Sequence, residues 1–167
     1  EKGHGWVSLK NAMKQSCDTY FYEVARLLGV DRLNTTAEKF GLGKKVLGDY
    51  FDNEKKGLFP NTIWKKNNLG RGWVLGETLI TGIGQGYIQS TPLQLCMMTA
   101  QIANGGYAIK PKIIVDSNPI SYEDAKQSME SGLLFDTESE KLLDKKLFKN
   151  QKNIKIVQEA MFASTNE

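Results

Sequence analysis

Apolar residues recur at helical spacing on both sides of a short polar triplet, Ser16, Cys17 and Asp18. The apolar residues on each side repeat every three or four positions, as one face of a helix requires. They are Leu9, Ala12 and Met13 before the triplet and Phe21, Val24, Ala25 and Leu28 after it. The pattern predicts two helices joined by a tight polar junction.

The next segment continues the helical pattern and then loses it. Gly29 is expected to end the second helix, and Asp31 is expected to cap a third. The apolar face of that third helix is formed by Leu33, Ala37 and Phe40. From residue 44 to residue 76 no periodicity is sustained, which predicts a long loop held against the core by Trp64 and Trp73.

The clearest helix signal follows a glycine-rich run. Thr91 is the predicted N-cap, Pro92 fits the first helical position, and Gln94 completes a capping box. The predicted buried face consists of Leu95, Met98 and Ile102. The pair Gly105-Gly106 should end this helix.

The last third of the chain begins with an extended segment, predicted over residues 107–115. Helices are then expected over residues 121–129, 137–148 and 153–164, the last with Ile154 and Val157 on its apolar side. Taken together, the pattern predicts a mainly α protein with one domain and one core.

Composition narrows the possible functions. The 167 residues are 40% hydrophobic and 25% charged, which suits one globular domain. A net charge of +3 from mixed signs argues against a nucleic-acid partner. No apolar run is long enough to predict a transmembrane helix. Two cysteines are too few for a disulfide framework, and Cys96, which stands in an apolar run, is expected to be buried.

The triplet itself has two interpretations. In the first, Asp18 caps the helix that starts at Thr19 and Ser16 only ends the helix before it. In the second, the junction fixes a hydroxyl and a carboxylate against a substrate. A second group of motifs, farther along the chain, favours the second interpretation.

A series of short motifs runs in order over residues 3–106. They are His4-Gly5, Ser16-Cys17-Asp18, Phe40-Gly41-Leu42-Gly43, Pro60-Asn61-Thr62-Ile63-Trp64-Lys65, Gly76-Glu77-Thr78, Gly84-Gln85-Gly86, Thr91-Pro92-Leu93-Gln94 and Ala103-Asn104-Gly105-Gly106. The series resembles the transpeptidase domain of class B penicillin-binding proteins, most closely the elongation-specific penicillin-binding protein 2 type. The resemblance implies the helical lobe of the α/β fold shared by penicillin-binding proteins and serine β-lactamases, without most of the sheet.

Two motifs of this enzyme class have no counterpart in the sequence. These are Ser-x-x-Lys, which carries the nucleophile, and Lys-Thr-Gly. Residues 1–167 are therefore expected to be a single-domain internal fragment of the transpeptidase domain, inactive when isolated. At the middle motif, Asp18 stands where many relatives have Asn.

The resemblance also implies roles for the triplet. In the intact enzyme, a serine attacks a peptidoglycan stem peptide to give an acyl-enzyme, which an amine then resolves into a cross-link. Ser16 would relay a proton, and Asp18 would orient a substrate amide or stiffen the turn. β-Lactams would enter the same pathway. No cofactor is required for this chemistry.

Some relatives of this type hold a structural zinc ion beside the active site, and by resemblance His4 and Cys17 would be two of its ligands. Imidazole and thiolate are both suitable zinc donors. The other two ligands are expected outside the fragment. The alternative is a terminal histidine beside an ordinary buried cysteine.

The implied partners are stem peptides, β-lactams, a glycan polymerase and other elongation proteins, at the periplasmic face of the bacterial inner membrane. The anchor is expected outside the fragment, and self-association could cover a bare apolar face of the isolated piece. Two alternative functions remain at this point: a noncatalytic interaction module of a cell-wall assembly, and a hydrolase or sensor of the β-lactamase kind.

Overall fold

A computed structural model of the chain describes residues 3–48, 51–111 and 145–166. Within these ranges there are seven α-helices. They are α1 (Leu9–Lys14), α2 (Asp18–Leu28), α3 (Val30–Lys39), α4 (Thr62–Leu69), α5 (Leu75–Gly82), α6 (Pro92–Ala103) and α7 (Gln151–Asn166). The same ranges contain no extended strand ladder, only isolated antiparallel bridges that join Leu58 to Gln89 and Tyr107 to Lys146. The predicted mainly α fold is confirmed.

The helices pack in two groups. In the first, α2 lies along α5, and α3 also contacts α5. In the second, α7 lies along α1 and contacts α6. The fully buried side chains include Ala12 of α1 and Ala160 and Ala163 of α7. Because these side chains are small, the helices that carry them can approach closely.

Side-chain amides connect the helices to the loops and to each other. Gln94 is 0% exposed, and its Nε2 donates hydrogen bonds to the carbonyl oxygens of Lys44 (2.7 Å) and Lys56 (2.8 Å). Gln158 of α7 donates to the carbonyls of Ile102 and Ala103 at the end of α6, at 2.7 and 3.0 Å. These hydrogen bonds from side-chain amides satisfy carbonyl groups that helix ends and loops otherwise leave unpaired.

Most of the predicted helices are present. The helices around the triplet, the third helix, the capping box at Thr91 and the helix over residues 153–164 are confirmed, the last running from Gln151 to Asn166. Asp31 was wrongly assigned as a cap: Gly29 is the N-cap of α3, and the Asp31 carboxylate accepts hydrogen bonds from the backbone and hydroxyl of Thr62.

Other predictions need correction. The loop predicted over residues 44–76 contains all of α4 and the start of α5. Residues 145–148, the described part of the helix predicted over 137–148, are not helical. Cys96 is exposed, not buried, because it lies on the outer side of α6. The predicted helix over 121–129 and the end of the extended segment lie outside the described residues, and residues 107–111 form only the bridge at Tyr107.

Within the described ranges, none of the helices combines the length and the apolar character that a membrane crossing requires.

Candidate functional site

Ser16 lies at the end of α1 in the left-handed backbone region. Its φ is 49°, and among the described residues it is the only one other than glycine with a positive φ. Its N–H donates to the carbonyl of Met13 at 3.2 Å, and the next N–H, of Cys17, donates to the carbonyl of Ala12 at 2.8 Å. This pair of bonds is the Schellman arrangement, in which the left-handed position is usually glycine. The helix end therefore holds a serine in a strained conformation.

Burial of side chains on one side of the turn helps to hold the strained conformation in place. Cys17, which follows Ser16, is 4% exposed, and Ala12, which accepts its hydrogen bond, is 0% exposed. An apolar contact between these two positions commonly accompanies a Schellman motif. Ser16 and Asp18 themselves are exposed. The turn thus anchors its middle residue inward and presents the residues on either side to solvent.

Asp18 is the first residue of α2 and not its cap. The N-cap is Cys17, whose backbone is extended (φ −82°, ψ 92°) and whose side chain makes no capping bond. Within the part of the chain that the structure describes, neither the Asp18 carboxylate nor the Ser16 hydroxyl has a hydrogen-bond partner. The capping interpretation of Asp18 is wrong, and a carboxylate at this position gains instead from the positive end of the helix dipole. The structure leaves both polar groups available to a ligand.

The Cys17 thiol lies in a polar environment. Its Sγ is 3.3 Å from the Thr19 hydroxyl oxygen. This hydrogen bond, a smaller one with His4 and one with the Tyr20 backbone lower the pKa of the thiol from 9.0 to about 7. His4 and Cys17, the two zinc donors predicted from the sequence, are therefore near each other, and their chemistry suits zinc. No group of three or more His, Cys, Asp or Glu side chains forms within the described ranges, so these two alone do not complete a site.

Helix α5 contacts α2 one turn beyond the triplet. The contact is made at Gly82, where a Cβ would lie 2.4 Å from Ala25 Cβ and 3.1 Å from the carbonyl oxygen of Phe21. Only a residue without a side chain allows this separation. Helix α5 is thus a direct neighbour of the helix that carries Asp18.

The other end of α5 is fixed by a buried ion pair that sequence reasoning missed. The Lys65 ammonium pairs with Glu77 Oε1, and the side chains are 5% and 16% exposed. The second oxygen of Glu77 accepts the Val74 N–H at 3.0 Å, and the Tyr87 hydroxyl donates to Oε1 at 3.3 Å. Lys65 also lies 5.8 Å from the centroid of the Trp73 ring. The pair joins α4 to the first turn of α5.

The charge state of Glu77 follows from these contacts. Burial raises the pKa of its carboxyl, but the Lys65 ammonium and the hydrogen bonds from Val74 and Tyr87 outweigh burial, so the net pKa is lowered. The sequence signal for the pair is that both residues belong to the motif series, Lys65 at the end of Pro60-Asn61-Thr62-Ile63-Trp64-Lys65 and Glu77 in Gly76-Glu77-Thr78. The pairing across twelve residues could not be read from local periodicity.

The family comparison agrees with the motif series. The family model of the penicillin binding protein transpeptidase domain matches residues 1–167. The peptidoglycan D,D-transpeptidase MrdA of Acinetobacter baumannii is 43% identical over 112 residues, which are 67% of this chain and 16% of that protein. MrdA of Escherichia coli strain K12 is 34% identical over 125 residues, which are 75% of this chain and 19% of that protein.

Solved structures show the same fold. The crystal structure of Pseudomonas aeruginosa PBP2 in complex with WCK 5153 matches with a TM-score of 0.71 and 38% identity, over 94% of this chain and 32% of that one. The complex between PBP2 and MreC from Helicobacter pylori matches with a TM-score of 0.76 and 27% identity, over 98% of this chain and 27% of that one. The chain thus spans less than a third of the length of each of these relatives. It belongs to the penicillin-binding protein transpeptidase domain family.

Proposed function

We propose that the protein containing this chain is a peptidoglycan D,D-transpeptidase of the elongation type, in which Ser16 and Asp18 line the active site. The observation that carries the proposal is the strained turn that exposes a hydroxyl and a carboxylate two residues apart, with no partner for either among the described residues. Non-glycine residues in such conformations cluster at functional sites. The similarity to MrdA proteins supplies the reaction type.

The proposed reaction proceeds in two steps. A serine from a Ser-x-x-Lys motif elsewhere in the protein attacks the penultimate D-alanine carbonyl of a stem peptide, and the terminal D-alanine leaves as an amine that takes up a proton. The amine of a second stem then attacks the acyl-enzyme, loses a proton and frees the serine. Ser16 relays these protons between the lysine and the leaving or attacking nitrogen, and Asp18 orients a substrate amide.

Acylation of the full-length protein by a fluorescent penicillin tests the role of Ser16. Since a proton relay contributes about 10²–10⁴-fold, Ser16→Ala should slow acylation by roughly that factor. Ser90→Ala is the matched control, because Ser90 is also an exposed serine and lies outside the turn. If Ser16→Ala is acylated at the wild-type rate, the proposal is wrong.

The 167-residue chain by itself should form no stable penicillin adduct. Ser16 can move a proton but has no adjacent base in a Ser-x-x-Lys motif to make it a nucleophile. Incubation with fluorescent penicillin followed by denaturing electrophoresis measures this directly. A labelled band that survives denaturation would show that the chain carries a nucleophile of its own.

We also propose that His4 and Cys17 contribute half of a structural zinc site in the full-length protein. The His4 imidazole and the Cys17 thiolate would hold the ion and the turn would be stiffer for it, with two further donors supplied from elsewhere in the protein. Metal analysis of purified full-length protein should find zinc in the wild type and a loss of zinc in Cys17→Ala. Equal zinc content in both proteins would refute this assignment.

The proposed setting is the periplasmic face of the bacterial inner membrane, with a glycan polymerase and an MreC-type protein as partners. The Helicobacter pylori PBP2 structure was solved together with MreC, which supports the second partner. Affinity purification of the full-length protein from membranes should recover both. Recovery of neither after mild crosslinking would count against this setting.

A further inference from the structure

Gly82 of α5 approaches α2 closely at Phe21 and Ala25, one to two turns beyond the proposed active-site turn. A Cβ on Gly82 would be 2.4 Å from Ala25 Cβ, whereas carbon atoms in contact normally stay about 3.5–4.0 Å apart. Gly82 has no positive φ, so its backbone would accept other residues. Space, and not backbone conformation, requires glycine at this position. Adding one methyl group would push the two helices apart by roughly 1 Å.

Helix α5 is not free to absorb that displacement. Glu77 in its first turn is tied to Lys65 of α4, and Thr78 accepts a hydrogen bond from Trp73 Nε1 at 2.8 Å. Thr78 and Thr81 are 5% and 4% exposed, so the buried side of α5 is closely packed. The strain at Gly82 would therefore fall largely on α2.

Helix α2 connects the contact to the turn without a break. It runs from Asp18 to Leu28, and the Phe21 N–H donates to the Cys17 carbonyl at 3.3 Å. The Phe21 carbonyl oxygen thus faces the position that a Gly82 side chain would occupy, while the Phe21 N–H is bonded to Cys17. A shift of α2 at Phe21 and Ala25 is transmitted to Cys17, and with it to Ser16 and Asp18.

We propose that Gly82 is a positioning residue for transpeptidation: by allowing α5 to lie directly on α2, it sets the place of the Ser16 hydroxyl and the Asp18 carboxylate. The inference rests on the proposed role of Ser16 and deepens it. In this role Gly82 contacts α2 and would not itself touch the substrate. Its effect reaches the chemistry through Phe21, Ala25 and the start of α2.

The test measures penicillin acylation of full-length variants, separating the binding constant from the rate of the chemical step per folded molecule. A misplacement of about 1 Å can cost roughly 100-fold, so Gly82→Ala should slow the chemical step by about 10- to 100-fold with binding little changed. Gly76→Ala is the matched control on the same helix, because nothing lies within 4 Å of a Cβ there. It should leave the rate unchanged.

A compensating change separates positioning from stability. Ala25→Gly removes the methyl group that Gly82→Ala meets, while glycine inside α2 lowers helix stability. The double variant should therefore regain most of the rate even though its unfolding temperature stays below that of the wild type. If the double variant is as slow as Gly82→Ala, or if Gly82→Ala reacts at the wild-type rate, the proposal is overturned.

Two further variants keep the outcome interpretable. If Gly82→Ala does not fold, Ala25→Ser places one extra atom at the same contact and should give a smaller loss in the chemical step; no loss would overturn the proposal. Ser16→Ala, measured in the same series, tests the proposed function separately. A slow Ser16→Ala beside a normal Gly82→Ala refutes only the positioning role, whereas a normal Ser16→Ala refutes the active-site assignment itself.

Discussion

At the scale of single residues, the turn at Ser16 shows how a fold can hold an unfavourable conformation. A left-handed backbone costs a non-glycine residue about 1–2 kcal/mol. Two backbone hydrogen bonds and the buried Cys17 side chain hold it in place. Glycine would satisfy the same helix end without strain, and the strained serine is what motivates the proposed role of its hydroxyl.

Replacing Ser16 should separate strain from chemistry. Ser16→Gly relieves the left-handed strain and should raise the free energy of unfolding by about 0.5–1 kcal/mol, after the extra backbone entropy of glycine is subtracted. Ser16→Ala keeps the strain and should leave stability nearly unchanged. Urea denaturation of both variants measures the difference. If Ser16→Gly is the less stable of the two, the strain assigned to this turn is wrong.

The Lys65–Glu77 pair gives a second prediction at this scale. Lys65→Met leaves Glu77 partly buried without its partner and should cost about 3 kcal/mol, at the low end for a broken buried pair because Glu77 keeps some solvent contact. Adding Glu77→Gln removes the unpaired charge but keeps an acceptor for Val74, so the double variant should be more stable than Lys65→Met alone. Chemical denaturation at neutral pH measures both. If the double variant loses as much stability as Lys65→Met and Glu77→Gln added together, this prediction is wrong.

The same pair predicts a dependence on pH. The pKa of Glu77 is below its ordinary value of 4.5, so the unfolded chain takes up the proton at higher pH than the folded one. The stability that Glu77 contributes is complete above about pH 4.5 and is lost as pH falls through the folded pKa. Because glutamine does not titrate, the decline in unfolding free energy on acidification should be shallower in Glu77→Gln. Parallel curves for the two proteins would show that Glu77 is not involved.

At the scale of helices, the Gln94 side chain should stabilise α6 more than the Thr91 cap does. Thr91 and Gln94 bond each other's backbone N–H groups at 3.2 and 2.9 Å, but Gln94 also holds the carbonyls of Lys44 and Lys56. Thr91→Ala should cost about 1 kcal/mol, the usual value for a cap. Gln94→Leu should cost about 2–4 kcal/mol, because it leaves two further groups unpaired. Thermal unfolding of both variants checks the order, and equal losses would contradict it.

The helices that could be predicted from sequence are those whose boundaries are marked by residues next to them in the chain. Helix α6 begins with Thr91, Pro92 and Gln94, and the signal is entirely local. The sequence does not predict helix α4, because the buried residue of that helix is Lys65 and not an apolar side chain. The partner of Lys65 lies on α5. Helix α5 was missed in part for a similar reason: its buried positions are Thr78 and Thr81. Polar groups that become buried only through a distant partner give no apolar periodicity.

The same difference between local signals and contacts with distant residues applies to the candidate site. The position of the turn followed from the apolar residues on each side, and its family followed from the motif series, which the family match confirms. The left-handed conformation of Ser16 could not be predicted, because the left-handed position after a helix C-terminus is usually glycine. The contact of Gly82 with Ala25 was equally hidden, since it joins residues far apart in the chain.

At the scale of the whole molecule, large apolar side chains remain on several surfaces. Trp6, Leu27, Ile63 and Phe162 are 106%, 65%, 69% and 63% exposed. They belong to the N-terminal segment, α2, α4 and α7, and Phe162 also lines an open groove with Lys10 and Gln158. Exposed apolar surface of this kind favours association.

We therefore expect the 167-residue chain to self-associate when isolated. Sedimentation velocity over a range of concentrations should show a weight-average coefficient that rises with concentration, because each contact buries apolar side chains such as Ile63 and Phe162. Added salt should not reverse the association, since the surface is apolar and the net charge is only +3. A single monomer boundary at every concentration would refute the expectation.

The packing of α1 along α7 has a consequence for synthesis of the chain. Helix α1 is synthesised well before α7, because the ribosome adds about 5–20 residues each second and most of this chain lies between the two helices. During that interval α1 lacks the helix along which it packs most extensively, so we expect the turn at Ser16, which ends α1, to reach its final geometry only after α7 has been made. The part of the molecule proposed to handle protons thus depends on a helix that is synthesised much later.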